Sequence, residues 1–210
     1  MSSCCDGGSA INPTRPGYRV ILWIALLSNA GMFAVELVAS VISGSVALQA
    51  DALDFFGDAV NYGITLFVLG MSLSARSYAA LFKGLTMALF GVWVIGNAVY
   101  RLAVGAVPDA MVMGSIGVLA LVVNVAVALM LYRFRDGDAN TRSIWLCSRN
   151  DAIGNVAVVA AASGVFVTAS GWPDIAVAAI IASLSFSAAA HIIVAARREL
   201  RTGAPMSMAS

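Results

Sequence analysis

Charged side chains are scarce: only 11% of the 210 residues are Asp, Glu, Lys or Arg, whereas 60% are hydrophobic. A soluble globular domain carries about 25% charged residues. So sparse a supply excludes a surface wetted by water on all sides and points to lipid as the solvent. The few charges nearly cancel, to a formal net of +1. No global field is left to hold a polyanion, so nucleic acid is not an expected partner. Cysteine is limited to Cys4, Cys5 and Cys147, too few and too placed for a disulfide framework. The first fifteen residues lack the basic and apolar regions of a cleavable signal peptide. The first apolar run is therefore expected to remain as a membrane anchor.

Apolar runs are what the chain has in abundance. A bilayer-crossing helix needs about 20 mainly apolar residues. Six runs meet that need, at about Tyr18–Ser43, Val46–Ser72, Ala79–Val104, Met111–Tyr132, Ile144–Ala169 and Ile175–Ala196. Between them stand short turn signals: Gly44–Ser45, Pro108–Asp109, and Ser170 through Asp174. The expected fold is all-α, a polytopic membrane protein of six transmembrane helices. Its expected organisation is a disordered cytoplasmic tail at 1–17, a six-helix domain at 18–200 and a short cytoplasmic tail at 201–210.

Basic residues set the expected orientation, because Lys and Arg stay on the cytoplasmic side. Arg15 and Arg19 precede the first span, and Arg76 and Lys83 flank the loop after the second. Arg133, Arg135 and Arg142 separate the fourth and fifth spans, and Arg197, Arg198 and Arg201 follow the sixth. The opposite loops offer only Arg101. Both termini are thus expected in the cytoplasm, with the chain in the inner (plasma) membrane.

Ionisable groups inside hydrocarbon are costly and mark bundle interiors or water-filled paths. They concentrate in two spans. The second carries Asp51, Asp54, Asp58 and Asn61, offset by three, four and three residues, which places them on one helix face. Carboxylates on one stripe repel each other, and a divalent cation relieves that repulsion. The fifth span carries Cys147 and Asp151 four apart, with Asn155 a turn further. At 1.5 Å per residue, Asp54 and Asp58 lie about 13 and 19 Å from one face, and Cys147 and Asp151 about 12 and 18 Å from the other. In a core of about 30 Å, Asp54 is level with Asp151 and Asp58 with Cys147. Asp54, Asp58, Cys147 and Asp151 would make a tetrahedral site of three oxygens and one sulfur, a coordination that suits zinc.

These stretches carry a resemblance. Ser45 through Asp58, with Asp51, Asp54 and Asp58, resembles the second transmembrane helix of the cation diffusion facilitator (cation efflux) family. Cys147 through Val159, with Asp151, resembles the fifth. Asn29 and Glu36 in the first span, and Trp172-Pro173-Asp174 entering the sixth, add to it, so that it covers about residues 18 to 200. In that family a His or Asp, followed four residues later by Asp, comes from each of the two helices to form the transport site. On this chain those positions are Asp54, Asp58, Cys147 and Asp151. The resemblance implies a homodimeric secondary transporter that exports zinc or a similar divalent ion from the cytoplasm in exchange for protons. It implies no enzyme and no resident cofactor, the metal being cargo. Two departures stand out. Cys147 replaces the usual His or Asp, leaving cadmium, cobalt and iron(II) as candidate ions beside zinc. The metal-binding cytoplasmic C-terminal domain of the family is expected to be lacking, and there is no His-rich loop, His191 being the only histidine.

Other positions carry two readings each. Asp51 either carries a proton or assists the ion, or else accepts a hydrogen bond from a neighbouring helix. Asn29 and Glu36 either line the cavity or make structural hydrogen bonds. Arg149 either snorkels to the headgroups or pairs with an acid such as Glu36. His191 is a ligand or an interfacial packing residue; Cys4 and Cys5 collect a soft ion or sit in an unstructured tail. Two further functions compete with transport. A non-transporting membrane subunit or scaffold fits the replaced ligand. An intramembrane aspartyl enzyme fits poorly, since its dyad needs carboxylates about 3 Å apart, closer than neighbours on one helix face.

Overall fold

The computed structural model describes residues 17–67, 72–133 and 139–203, with side chains described except at 73, 76 and 139–147. Within them the chain forms α1 (Tyr18–Ser43), α2 (Val46–Phe67), α3 (Leu73–Val104), α4 (Ala110–Tyr132), α5 (Ala139–Thr168) and α6 (Trp172–Thr202). The all-α, six-helix architecture is the one expected. Hydropathy misses the helix ends by up to six residues. α3 starts at Leu73 rather than Ala79, α5 at Ala139 rather than Ile144, and α6 runs from Trp172 to Thr202, beyond the Ala196 and residue-200 limits. Backbone hydrogen bonding needs no apolar side chain, so a helix continues into polar sequence until something stops it. For α6 the stop is Gly203, whose left-handed backbone (φ 64°) and N–H bond to the Glu199 carbonyl close the last turn. The tails expected at 1–17 and 201–210, with Cys4 and Cys5, fall almost wholly outside the described residues.

Five of the helices (α1, α3, α4, α5 and α6) contain stretches long and apolar enough to cross a membrane. The protein is therefore a multi-pass membrane protein. α2 falls short of that apolarity because of its acids, and its place in the bundle explains why it can. It packs against α1, α3, α5 and α6, and its buried residues run almost unbroken from Val46 to Leu53. α4 shows the opposite pattern. Its buried residues, Met113, Gly117, Ala120, Asn124, Val127 and Leu131, form one stripe, while Val118, Val122 and Leu129 point outward.

Lipid is as apolar as leucine, so burial alone drives little association, and close packing with polar contacts must hold the helices together. Gly84 illustrates the first. A Cβ there would stand 2.8 Å from Ile193 Cγ1 and 3.2 Å from Ile192 Cγ2, so the missing side chain is what lets α3 lie against α6. Asp174 illustrates the second. From the first turn of α6 its carboxylate accepts the Ser45 hydroxyl at 2.6 Å and the Val46 and Ala47 N–H groups at 2.8 and 3.0 Å. It thus caps α2 from the other end of the sequence. The turn into α2 passes through Gly44, whose φ of 74° favours glycine, and a Cβ there would meet the Arg101 guanidinium at 2.5 Å.

Two apolar clusters flank the middle of the bundle. One gathers Val46, Leu48, Val94, Met113, Val158 and Ile181 toward the end with the Gly44 turn. The other gathers Tyr18, Leu22, Tyr62, Leu66, Val127 and Leu131 toward the end where α1 begins. Glu36, Asp51, Asp58, Asn124 and Asn155 lie between them along the helices, whereas Asp174 sits at the end with the Gly44 turn.

Candidate metal centre between α2 and α5

Asp58 is 8% exposed and its carboxyl lies within hydrogen-bonding range of Asp151 on α5. This is the meeting that a site shared between the two helices requires. Two carboxylates have no proton to give each other. Their approach therefore calls for a proton or a cation between them. Around this pair stand neutral hydroxyls and one ammonium. Tyr62, a turn beyond Asp58, donates to Asp58 Oδ2 over a long 3.4 Å and shares a 2.8 Å bond with Ser148 of α5. Lys83 of α3 is 1% exposed, donates to the Asn61 side-chain oxygen and acts electrostatically on Asp58.

The register differs from the depth arithmetic. That arithmetic sets Asp151 level with Asp54, but the structure brings Asp151 to Asp58, and Asn155 to Asp51. The helices are offset by up to a turn because tilt and packing, which a count of residues ignores, fix the depth of each side chain. Asp54 is half-buried and turned toward α6, where Ser185 Oγ donates to its Oδ1 at 2.6 Å. The Cys147 side chain lies outside the described residues. Among the described residues no group of three His, Cys, Asp or Glu is gathered closely enough to hold a metal. Of the four sequence-predicted ligands the structure thus brings Asp58 and Asp151 together and sets Asp54 on the same helix, bonded to α6.

A second polar layer lies about two turns along α2 from Asp58, toward the Gly44 turn. Asp51 is 2% exposed and accepts a hydrogen bond from the Asn155 amide. Asn155 in turn accepts from Asn124 Nδ2 of α4 at 2.8 Å. The hydrogen-bond reading of Asp51 is therefore realised. Glu36 of α1, 0% exposed, faces the Asp51 carboxyl. Asn29 spends its amide on its own helix, donating to the Ala25 carbonyl at 2.8 Å. Arg149 is exposed and donates to Asn150, and no donor reaches either Glu36 oxygen among the described residues; the Arg149–Glu36 pairing is not formed. His191 is exposed on α6, away from these groups.

Sequence reasoning missed Lys83, Ser148, Tyr62 and Ser185. Lys83 had a readable signal: it is the chain's single lysine, and it stands in the third turn of a helix that is apolar beyond it. Counting it as a cytoplasmic marker concealed that signal. The hydroxyls carry none, since Ser and Tyr are common in membrane helices.

Carboxyls that meet inside a membrane bundle mark, as a class, ion pathways or proton relays. The chain matches the family model for the cation efflux transmembrane domain over residues 22–201, and it belongs to that family. Among curated relatives it is 22% identical over 201 residues to a "Cadmium, cobalt and zinc/H(+)-K(+) antiporter" of Bacillus velezensis, covering 89% of this chain and 64% of that one. It is 26% identical over 172 residues to the "Metal cation efflux system protein CzcD" of Cupriavidus metallidurans, covering 76% of this chain and 54% of that one. The chain thus spans between about half and two thirds of the length of these relatives.

Proposed function

We infer that this chain is a secondary transporter that carries a divalent metal cation of the zinc class out of the cytoplasm in exchange for protons. The observation that carries this reading is the meeting of Asp58 and Asp151 across α2 and α5. A pair of facing carboxyls binds either protons or a cation, and the two occupants exclude one another. That exclusion is the elementary requirement for exchange. Membership of the cation efflux family supports it, as do relatives named for cadmium, cobalt and zinc.

The ligand set proposed is Asp54, Asp58, Cys147 and Asp151. Assembly requires Asp54 to leave Ser185 and join the Asp58–Asp151 pair, with the Cys147 thiolate completing four ligands. Such a rearrangement is what alternating access demands of a site between helices. The metal enters as its ligands lose protons and leaves as they regain them. The bundle works between copies as a homodimer, with both termini in the cytoplasm, and a reporter fused after Ser210 should be cytoplasmic.

A second reading, a membrane subunit that does not itself transport, draws on the Asp54–Ser185 bond, which leaves the ligand set unassembled. Metal content separates the two. Cells expressing this chain alone in excess zinc or cadmium should hold less metal than cells expressing Asp151→Ala. Equal metal content in the two, at equal membrane levels of protein, would favour the scaffold.

A further inference from the structure

The metal centre does not use Glu36 and Asp51, yet they are the most completely enclosed acids in the described bundle apart from Asp174, at 0% and 2% exposure. Asp51 has a donor, the Asn155 amide, which is itself held by Asn124. Glu36 has none: neither carboxyl oxygen finds a hydrogen-bond donor among the described residues. The groups that act on Glu36 are two further acids, Asp51 and Asp54 of α2. The groups that act on Asp51 are Glu36 and the neutral Asn155. Two enclosed carboxyls facing each other, with amides behind and, among the described residues, no ammonium or guanidinium acting on them, cannot both stay ionised in low dielectric. A divalent cation here would need further oxygen ligands, but the Asn155 amide turns its N–H toward Asp51 and its oxygen accepts from Asn124. A proton needs no further ligand.

We propose that Glu36 and Asp51 share a single proton and form a station, separate from the metal ligands, through which the exchanged proton reaches them. This rests on the exchange reading above. Asp51 stands three residues from Asp54 on the same helix face, so one turn of α2 separates the station from the ligand set. Proton transfer is balanced: the proton leaves the Glu36–Asp51 pair for the ligand carboxylate vacated by the metal, and the pair is refilled from the aqueous side on which the metal was released. Chains of intramembrane acids serve as proton relays in this way.

Two readouts test it on the full chain. The first is infrared difference spectroscopy of the metal-free protein, wild type against E36Q and against D51N. Each amide can satisfy the remaining carboxylate without a shared proton, so each variant should lose the same carboxylic-acid carbonyl band. A spectrum unchanged by both would overturn the proposal. The second is zinc-driven proton movement in proteoliposomes, read with an enclosed pH dye. E36Q should slow zinc-driven proton movement by about 100-fold, the low end for loss of a positioned proton-transfer group, while zinc affinity at fixed pH stays within about threefold. E36D, which keeps a carboxyl, should restore part of the movement. Undiminished proton movement in E36Q would overturn the station. If the wild type moves no protons at all, the exchange reading fails instead, and the infrared band still decides whether the pair holds a proton.

Discussion

Glu36 and Asp51 meet between α1 and α2 against a background of amides, whereas Asp58 and Asp151 meet between α2 and α5 among hydroxyls and a lysine. The Glu36–Asp51 layer is enclosed, and Asp51 in it is held by the Asn155 amide. The Asp58–Asp151 layer has a half-buried neighbour in Asp54, a thiol-bearing residue a turn away on α5, and hydroxyl contacts that can be exchanged. A group that must capture and release an ion needs ligands whose present partners are cheap to leave. Asp54 leaves a serine hydroxyl; Asp51 would have to leave an amide chain that spans α4 and α5. The same residue type on the same helix thus has different partners, and the proposed division of work between metal and proton follows position along α2.

Breaking the Asp58–Asp151 layer should have the largest effect. Asp54→Ala, Asp58→Ala and Asp151→Ala should each weaken zinc binding by about 100-fold or more and abolish flux, while the protein still inserts; loss of a partner that merely orients a ligand costs 10–100-fold. Calorimetric titration in detergent checks this. Zinc affinity in any of these variants equal to wild type would erase the contrast with E36Q.

A smaller change is expected at Cys147, which bears on selectivity. A thiolate favours zinc and cadmium, whereas carboxylates accept manganese and iron(II) more readily. Cys147→Asp should keep transport while shifting preference away from cadmium by about tenfold. Cys147→Ser should lower transport of every ion. Competition among ions in wild type and both variants reads the order directly, and an order common to all three would make Cys147 a packing residue.

Lys83 offers a subtler test of the same layer. Its buried ammonium acts on Asp58, so it competes with an incoming cation for the same negative charge. Lys83→Gln should tighten zinc binding by several-fold, roughly the 1 kcal/mol of a modest charge interaction. Weaker binding in that variant would mean that Lys83 positions Asp58 rather than opposes the metal.

The smallest functional effect belongs to Asp174, which touches neither layer. Asp174→Ala removes the cap of α2 and should cost about 1–3 kcal/mol of stability, read as a lower thermal midpoint in detergent. Zinc affinity measured well below that midpoint should not change.

The helices were legible because lipid imposes one rule, apolar residues over a fixed length, and the chain obeys it in every helix but α2. The exception was legible for the opposite reason: three acids on one face of a span have few other uses. The pairing of α2 with α5 was readable from matched depth to within about a turn. The register was not, because a turn of offset depends on tilt and on the side chains of all six helices together. Partners distant in sequence were the least visible. Asp174 reaches Val46 across 128 positions, and no local pattern announces a cap supplied from so far away. Lys83 was hidden by a rule that is sound for loops and fails for a lysine that folds back into the bundle.

The central claim is that a divalent ion and protons compete for one interior site built on Asp58 and Asp151. It is tested most directly by ion flux in proteoliposomes under an imposed pH gradient, with zinc, cadmium, cobalt, manganese and magnesium offered in turn to wild type and to Asp151→Ala. The expected result is zinc and cadmium flux toward the acidic side, opposite to proton flow, that reverses when the gradient is reversed and disappears in Asp151→Ala. Flux indifferent to the gradient, or flux that survives the loss of Asp151, would contradict it.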